Sequence, residues 1–546
     1  MKVILLSIFL LILGCTNTLE KEEEVDTVRT IEEIVVRETE YIKKSPGESI
    51  GLAMSGGGVR SASFNIGVMG GLADSGLLDE VDYISSVSGG SYAAYWYYTK
   101  LKWNGDEREN LFKMKYSWEE ETEDDREYRF QQYLENNMKL GRYSENNPDR
   151  SFDRLKTTGA VTWRVVYAIP FAVMDSLQLS RLLETNYSPV PDYFRNSIER
   201  VYGFSPEKSS EDFSVKNGEY VNRGKLPWRL EKFGFEELTE LYKEEDVPIW
   251  IINTTADVNS SWPRWKNSWK ESPGLNKAVF EFTPFTYGNE WYGHYESDSL
   301  EENLSHFVQT SGAALDSANH YNLKAGGIIL STLSMGNYVD IGEDSVYLTD
   351  GGHSENLGAY SLIKRGVGKI IISDAEYGIE GKLTGLIRLL NKLGDEYTFE
   401  FEHDEFNEYL NRWKMLSKDE KKQAEKRIEK GRESLPDMLP LILKGSITKK
   451  SSLERMEIYY IKLRAAKKIL KDSSEEDHYY SEEVKKILSS SGEENEKFPQ
   501  NRTTNMWYTK SQYQSYFTLG EHLGRVTAEI LEGTGEQGDD LRLAKK

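Results

Sequence analysis

Between residues 49 and 100 the chain alternates short apolar runs with small-residue turns and stretches of helical spacing. Ile50-Gly51-Leu52-Ala53-Met54-Ser55 runs into Gly56-Gly57-Gly58, which predicts a buried strand stopping at a glycine loop. Ile66, Met69 and Ala73 recur at helical spacing, so a helix is predicted from Val59 to about Ser75, with Gly76 as its stop. A second strand over Val81 to Val87 is followed by Ser88-Gly89-Gly90 and a helix through Tyr92 to Tyr98. This order predicts an α/β fold with a mainly parallel sheet. Further strands are expected at Pro248 to Thr255, Val279 to Phe282, Ser345 to Leu348, Lys369 to Ser373 and Ile458 to Leu463. A charged helix (Lys418 to Glu433) and an acidic, Ser-rich insertion (Asp472 to Glu496) interrupt the C-terminal third.

The start of the chain follows a different pattern. Met1-Lys2 precedes an apolar run from Val3 to Leu13, broken only by Ser7, and Gly14-Cys15 then gives way to polar sequence. The run is shorter than the roughly 20 residues that span a bilayer, and it fits the apolar part of a signal peptide. Ile12-Leu13-Gly14-Cys15 resembles the lipobox of bacterial lipoproteins, which implies cleavage before Cys15 and a lipid on its thiol. Thr16 is not the Asp associated with inner-membrane retention, so the outer membrane or cell surface is the expected location. Residues 16–47, rich in Glu, are expected as a solvated tether with a short strand at Ile31 to Val36.

Composition narrows the remaining choices. Hydrophobic residues at 38% and aromatics at 12% supply a core, which excludes wholesale disorder. The net charge of −22 argues against general nucleic-acid binding. Cys15 is the sole cysteine, so there is no disulfide framework, redox pair or Cys-rich zinc site. The histidines show no HExxH or other metal-ligand spacing, and no metal or cofactor is expected.

Three segments bear candidate chemistry. The loop Ser55-Gly56-Gly57-Gly58-Val59-Arg60 lies between a strand and a helix N-terminus, a setting suited to an anion, either a phosphate or the transient oxyanion of acyl transfer. Ser86-Val87-Ser88-Gly89-Gly90 has the layout of a nucleophile elbow, with Ser86 in place of the usual first glycine. Leu348-Thr349-Asp350-Gly351-Gly352-His353 places an Asp at a sterically open strand end. His353 raises a Ser-His-Asp alternative, but its place closing a Gly-Gly turn favours a part in shaping the loop. Asp374, at another strand end, is a weaker candidate best read as a turn or cap residue.

Together the three segments resemble the patatin-like phospholipase family, which includes the cytosolic phospholipase A2 catalytic domains. The resemblance implies a three-layer α/β fold, with a central mainly parallel sheet flanked by helices and with helical insertions. It implies that Ser88 is the nucleophile and Asp350 its partner in a Ser-Asp dyad. Gly57, Gly58 and Gly89 would supply oxyanion donors, and Arg60 would brace the loop or meet a substrate phosphate. Weaker echoes of the family are Ser311-Gly312-Ala313-Ala314, Asn356-Leu357-Gly358, Phe498-Pro499, Tyr516 and Leu519-Gly520. Ser88 and Asp350 are 262 residues apart, which implies an insertion or cap at about 100–245, including the apolar stretch Val161 to Leu179.

The expected organisation is a signal peptide (1–14), a tether (15–47), a catalytic domain (48–400) and a C-terminal helical extension (401–546). The expected activity is hydrolysis of phospholipid or lysophospholipid acyl esters, with the membrane reached through Cys15. The alternatives are an acyltransferase using the same acyl-enzyme and a catalytically silent lipid-binding lipoprotein. Basic residues at Lys421 to Arg432 and Lys462 to Lys471 are expected mainly as paired helical surface, with contact to anionic head groups as the other reading.

Overall fold

A computed structural model describes residues 29–104, 233–244, 247–257, 277–313, 336–341, 344–377, 383–417, 442–464, 498–503 and 510–533. Shorter pieces at 194–195, 198–199, 202, 213–216, 219–222, 420, 423, 484–486, 488–489 and 508 are also described. The signal segment, Cys15, the stretch Val161 to Leu179, most of the expected cap and most of the two basic clusters lie outside these residues.

The expected α/β rhythm is present. Strand β1 (Ile50–Met54) leads through the glycine loop to helix α2 (Gly58–Asp74), and β2 (Tyr83–Val87) leads to α3 (Gly89–Asn104). A preceding helix, α1 (Ile31–Ile42), and α4 (Phe235–Glu244) flank this unit in sequence. Strands β3 (Ile249–Asp257), β4 (Lys277–Phe282), β5 (Thr286–Asn289) and β6 (Gly293–Glu296) follow, then α5 (Leu304–Ser311). Next come β7 (Asn337–Ile341), β8 (Asp344–Asp350), α6 (Ala359–Arg365), β9 (Lys369–Asp374) and α7 (Thr384–Leu393). The chain continues with β10 (Tyr397–Phe401), α8 (Asp404–Met415), β11 (Ile442–Lys449), β12 (Arg455–Lys462) and α9 (Lys510–Glu532).

Among the described residues these strands form one 12-stranded sheet, in the order β10-β11-β12-β9-β1-β2-β3-β4-β5-β6, with β8 also on β3 and β7 on β8. The centre, β12-β9-β1-β2-β3, is parallel, and the strands outside it pair antiparallel. Buried Leu52, Ile84, Ile251 and Ile371 show why the central strands read as continuous apolar runs, since helices cover both faces. On one face α2 is clamped against α9. A Cβ at Gly67 or Gly71 would lie 2.1 or 2.0 Å from a carbonyl oxygen of α9, and one at Gly520 or Gly524 would lie 2.2 or 2.4 Å from one of α2. Only glycine permits two backbones to approach that closely.

Two expectations change. The short strand at Ile31 to Val36 is instead the first half of α1, and the tether's latter part packs on the body. Thr30 caps α1, with Glu33 reaching back to the Thr30 N–H at 2.8 Å, so the T-x-x-E spacing signals the helix. The C-terminal part is also not a purely helical extension, because β11 and β12 complete the main sheet beside β9. The expected strand Ile458 to Leu463 is the second half of β12.

The anchor of α1 is ionic. Arg365, on α6, donates from Nε to Glu38 Oε2 at 2.8 Å and from Nη1 to Glu281 Oε2 at 2.7 Å, and all three side chains are buried. Burial holds the Glu38 carboxyl above its usual range in spite of Arg365; at Glu281 burial is outweighed by Arg365, His294 and Ser361. Removing the cation strands two carboxylates in the interior. Arg365→Met is therefore expected to destabilise the protein by about 3–5 kcal/mol, read as a lower urea midpoint.

Candidate active site

Two strands arriving from opposite directions meet on one edge of β3. Parallel β2 pairs with the first half of β3 up to Val87, opposite Asn253. Antiparallel β8 pairs with the second half and ends with Asp350 opposite Thr254, the next position along. The residue after Val87 is Ser88, so residues far apart in sequence meet at adjacent register positions. Thr255 Oγ1 fixes the end of β8 by donating to the Asp350 carbonyl at 2.7 Å.

Ser88 occupies the turn from β2 into α3 with φ 49°, the left-handed region that non-glycine residues enter at a cost of about 1–3 kcal/mol. The turn is held from outside, since the Ser88 N–H donates to Ser311 Oγ at 2.8 Å and that hydroxyl donates to the Asn253 carbonyl at 2.7 Å. Crowding explains the glycines after the serine. A Cβ at Gly89 would lie 2.2 Å from the Gly58 carbonyl oxygen, and one at Gly90 would lie 2.2 Å from that of Met54. Ser86 is no gap in the elbow, because its hydroxyl accepts from Trp250 Nε1 at 2.8 Å and lies 3.0 Å from Ser91 Oγ. A chain of hydroxyls, Ser86-Ser91-Ser311, thus runs behind the turn.

The glycine loop passes directly over the elbow. Gly58 is in backbone contact with Gly89, and a Cβ at Gly56 would lie 3.3 Å from Ser88 Cβ. Gly57 and Gly58 take φ of 146° and 64°, so the loop reverses into α2 in a conformation that side chains disfavour. It is tied down by the Gly56 N–H to the Asn356 carbonyl at 2.8 Å and the Ala375 N–H to Ser55 Oγ at 2.7 Å. Arg60 is fully buried and donates to the carbonyls of Ala375, at 3.0 Å, and Asn501, and to Thr503 Oγ1 at 3.3 Å. Of its two expected roles, these contacts are those of a brace.

Asp350 is 7% exposed and accepts the Gly352 N–H at 2.7 Å, with Ser88 beside it. Burial pushes its pKa up to about 7, partly offset by Gly352, Ser88 and the charge of Lys277. His353 closes the short turn after Asp350, three residues on. Asp374 belongs to a separate buried cluster, accepting from Lys462 Nζ at 2.9 Å and from the Tyr460 hydroxyl, which fits its reading as a structural residue. Lys462 is thereby a buried pair rather than surface. Ser88, Asp350, Gly57, Gly58 and Gly89 converge, then, while Arg60 faces the C-terminal segment. Ser311 and Asn356 were legible only as faint motif echoes, and Asn253 was not legible at all, because its role depends on contacts across the sheet. Among the described residues no group of His, Cys, Asp and Glu is arranged to hold a metal ion, and no helix is long and apolar enough to cross a membrane.

Comparison with protein-family models matches residues 52–314 to the patatin-like phospholipases. Comparison with curated proteins found no match. Among solved structures the chain is similar to human GIVD cytosolic phospholipase A2, with a TM-score of 0.50 and 11% identity over 94% of this chain and 68% of that one. A complex of the same human enzyme with methyl gamma-linolenyl fluorophosphonate gives 0.47 and 12%, over 93% and 65%. VipD from Legionella pneumophila gives 0.23 and 14%, over 60% and 51%. At these identities the likeness of the first concerns the fold, an α/β sheet flanked by helices.

The raised pKa of Asp350 has a consequence for stability. A carboxyl with a folded-state pKa near 7 against an ordinary 3.8 carries no penalty below about pH 4 and its full penalty above about pH 7. Asp350→Asn is expected to raise stability at pH 8 by roughly 2–4 kcal/mol and to lose that gain near pH 4, measured by urea unfolding.

Proposed function

We propose that this chain, whose residues 52–314 match the patatin-like phospholipase family model, is a serine acyl hydrolase. It cleaves acyl esters of phospholipids or lysophospholipids through Ser88 and Asp350. The observation that carries the reading is Ser88 in a left-handed elbow, at the strand end adjacent in register to a buried Asp350 and beneath the glycine loop. A serine hydroxyl is a weak nucleophile until a base takes its proton. Asp350 is that base, and its elevated pKa makes it a stronger one near neutral pH than an exposed carboxylate. The Ser88 oxygen attacks the ester carbonyl, and the N–H groups of Gly57, Gly58 and Gly89 hold the oxyanion. Each such donor typically contributes about 2.7–4 kcal/mol in the transition state. The leaving alcohol takes the proton from Asp350, and water activated by Asp350 then releases the acid from acyl-Ser88.

Fatty-acid release from phospholipid and lysophospholipid micelles tests the reading. Wild type is expected to release acid, and Ser88→Ala to reduce release by at least about 10³-fold with its fold intact. Because Asp350 must be ionised, kcat/KM is expected to rise with pH through a midpoint near 7 and level off above it. Release unchanged in Ser88→Ala contradicts the assignment.

The location proposed is the bacterial cell envelope, with a lipid on Cys15 as anchor; its support is the lipobox-like run ending at Gly14-Cys15. Cys15→Ser is expected to move the protein out of the membrane fraction. Membrane retention without an attached lipid contradicts the anchor.

A further inference from the structure

We propose that Asn356 is a positioning residue of the reaction, whose side-chain oxygen sets how closely the glycine loop approaches the Asp350 turn. The inference rests on the serine hydrolase reading, in which Gly57 and Gly58 hold the oxyanion. A Cβ at Gly56 would lie 2.2 Å from Asn356 Oδ1, and one at Gly352 would lie 2.5 Å from the same atom. Neither glycine takes a left-handed φ, so space and not backbone conformation explains them. One oxygen is thus wedged between two glycines, one in the loop that covers Ser88 and one in the turn that carries Asp350. The reacting groups flank it, since Ser88 Cβ lies 3.3 Å from the Cβ position at Gly56 and Asp350 Oδ1 lies 3.0 Å from that at Gly352.

Asn356 is mounted to serve as a stop. Its backbone carbonyl accepts from the Gly56 N–H at 2.8 Å, which ties the loop to the turn, while its side-chain oxygen limits the approach. An amide oxygen carries no hydrogen, so it can stand closer to a glycine than a methyl group could. The chain around it is stapled by Glu355, a buried carboxylate that accepts from the Leu357 N–H at 2.6 Å and the Tyr360 N–H at 3.2 Å. The Glu355 N–H donates to the Gly351 carbonyl at 3.1 Å, and the Gly358 carbonyl accepts from Ser85 Oγ on β2 at 2.6 Å. Asn356 is therefore fixed to β2 and to the Asp350 turn, and the loop is set against that block.

The spacing bears on catalysis because Gly57 and Gly58 follow directly on Gly56, so a shift of Gly56 moves both donors. Such donors act at full strength only about 2.7–3.1 Å from the oxyanion. A displacement of roughly 1 Å can lower a rate about 100-fold. Ser55 and Arg60 tie the flanks of the loop to Ala375, and at Gly56 the spacing falls to Asn356. The oxyanion forms only after substrate has bound, so a misplaced loop lowers kcat more than it raises KM.

A double-mutant cycle on the full chain tests the inference, read as kcat and KM for acyl release and as the rate of Ser88 phosphonylation by a fluorophosphonate. Asn356→Ala is expected to lower kcat about tenfold, with KM within about threefold. Gly56→Ala drives a methyl group onto Asn356 Oδ1 and is expected to lower kcat at least about 100-fold. In the double variant the methyl takes the space the amide vacates, and the next neighbour, Ser88 Cβ, is 3.3 Å away. That variant is expected to return to within about threefold of Asn356→Ala, one substitution rescuing the other. A residue that merely keeps the turn folded gives the opposite result, losses that add. If Gly56→Ala alone fails to fold, recovery of a folded, active double variant is the same rescue, and a double variant that also fails counts against the proposal. Asn356→Ala within about twofold of wild type in kcat, or a double variant no more active than Gly56→Ala, overturns this inference and leaves the hydrolase standing. A wild type that neither releases acid nor labels at Ser88 removes both.

Discussion

The pairing of one edge of β3 with two strands is the constraint on which the site depends. β2 runs up that edge and stops at Val87, opposite Asn253, while β8 runs down it and stops at Asp350, opposite Thr254. Register, which a hydrogen-bonded ladder fixes to the residue, therefore sets how close Ser88 and Asp350 can be. No long side chain has to span the distance between them. The same geometry explains how 262 residues can separate the two in sequence. An insertion between the strands leaves the meeting point unchanged so long as both ladders hold.

Around that point the protein maintains an arrangement that is unfavourable in isolation. Ser88 sits at positive φ, and Asp350 is buried with no ion-pair partner at hydrogen-bonding distance among the described residues. Both costs are borne by neighbours with many constraints of their own. Asn253 takes hydrogen bonds from Ser311 and Ser361 and gives them to Ser85 and Ser86, stitching β2, β3, α5 and α6 into one block. The glycine loop is held from the opposite side by Arg60 and the residues before α9, and the glycine-lined contact of α2 with α9 carries that support into the core. Distant C-terminal residues are thus part of the scaffold of a loop near residue 57.

Much of this was legible in the sequence. The strand-glycine-helix rhythm at 50–75 and 83–98 reports local backbone requirements, and such requirements are visible locally. The elbow glycines and the Asp-Gly-Gly turn were legible for the same reason. What stayed hidden depends on contacts made only after folding. The tether reading missed α1 because its polar face dominates the composition, although the Thr30 and Glu33 cap was in plain view. The Glu38, Arg365 and Glu281 cluster joins three distant segments and has no local signature. Strands β5 and β6 were missed as four-residue pieces with little apolar content, and β7, β10 and β11 were missed as well, although Tyr397, Phe399 and Phe401 alternate along β10. Ser86 read as a departure from the elbow pattern until Trp250 supplied its partner across the sheet.

The central claim is that Ser88 and Asp350 act as one unit. Mapping a fluorophosphonate adduct by mass spectrometry, with labelling rates for wild type and Asp350→Asn, tests it most directly. The account predicts one adduct, on Ser88, formed at least about 100-fold more slowly when Asp350 is replaced. An adduct on another residue, or equal rates in the two proteins, would contradict it.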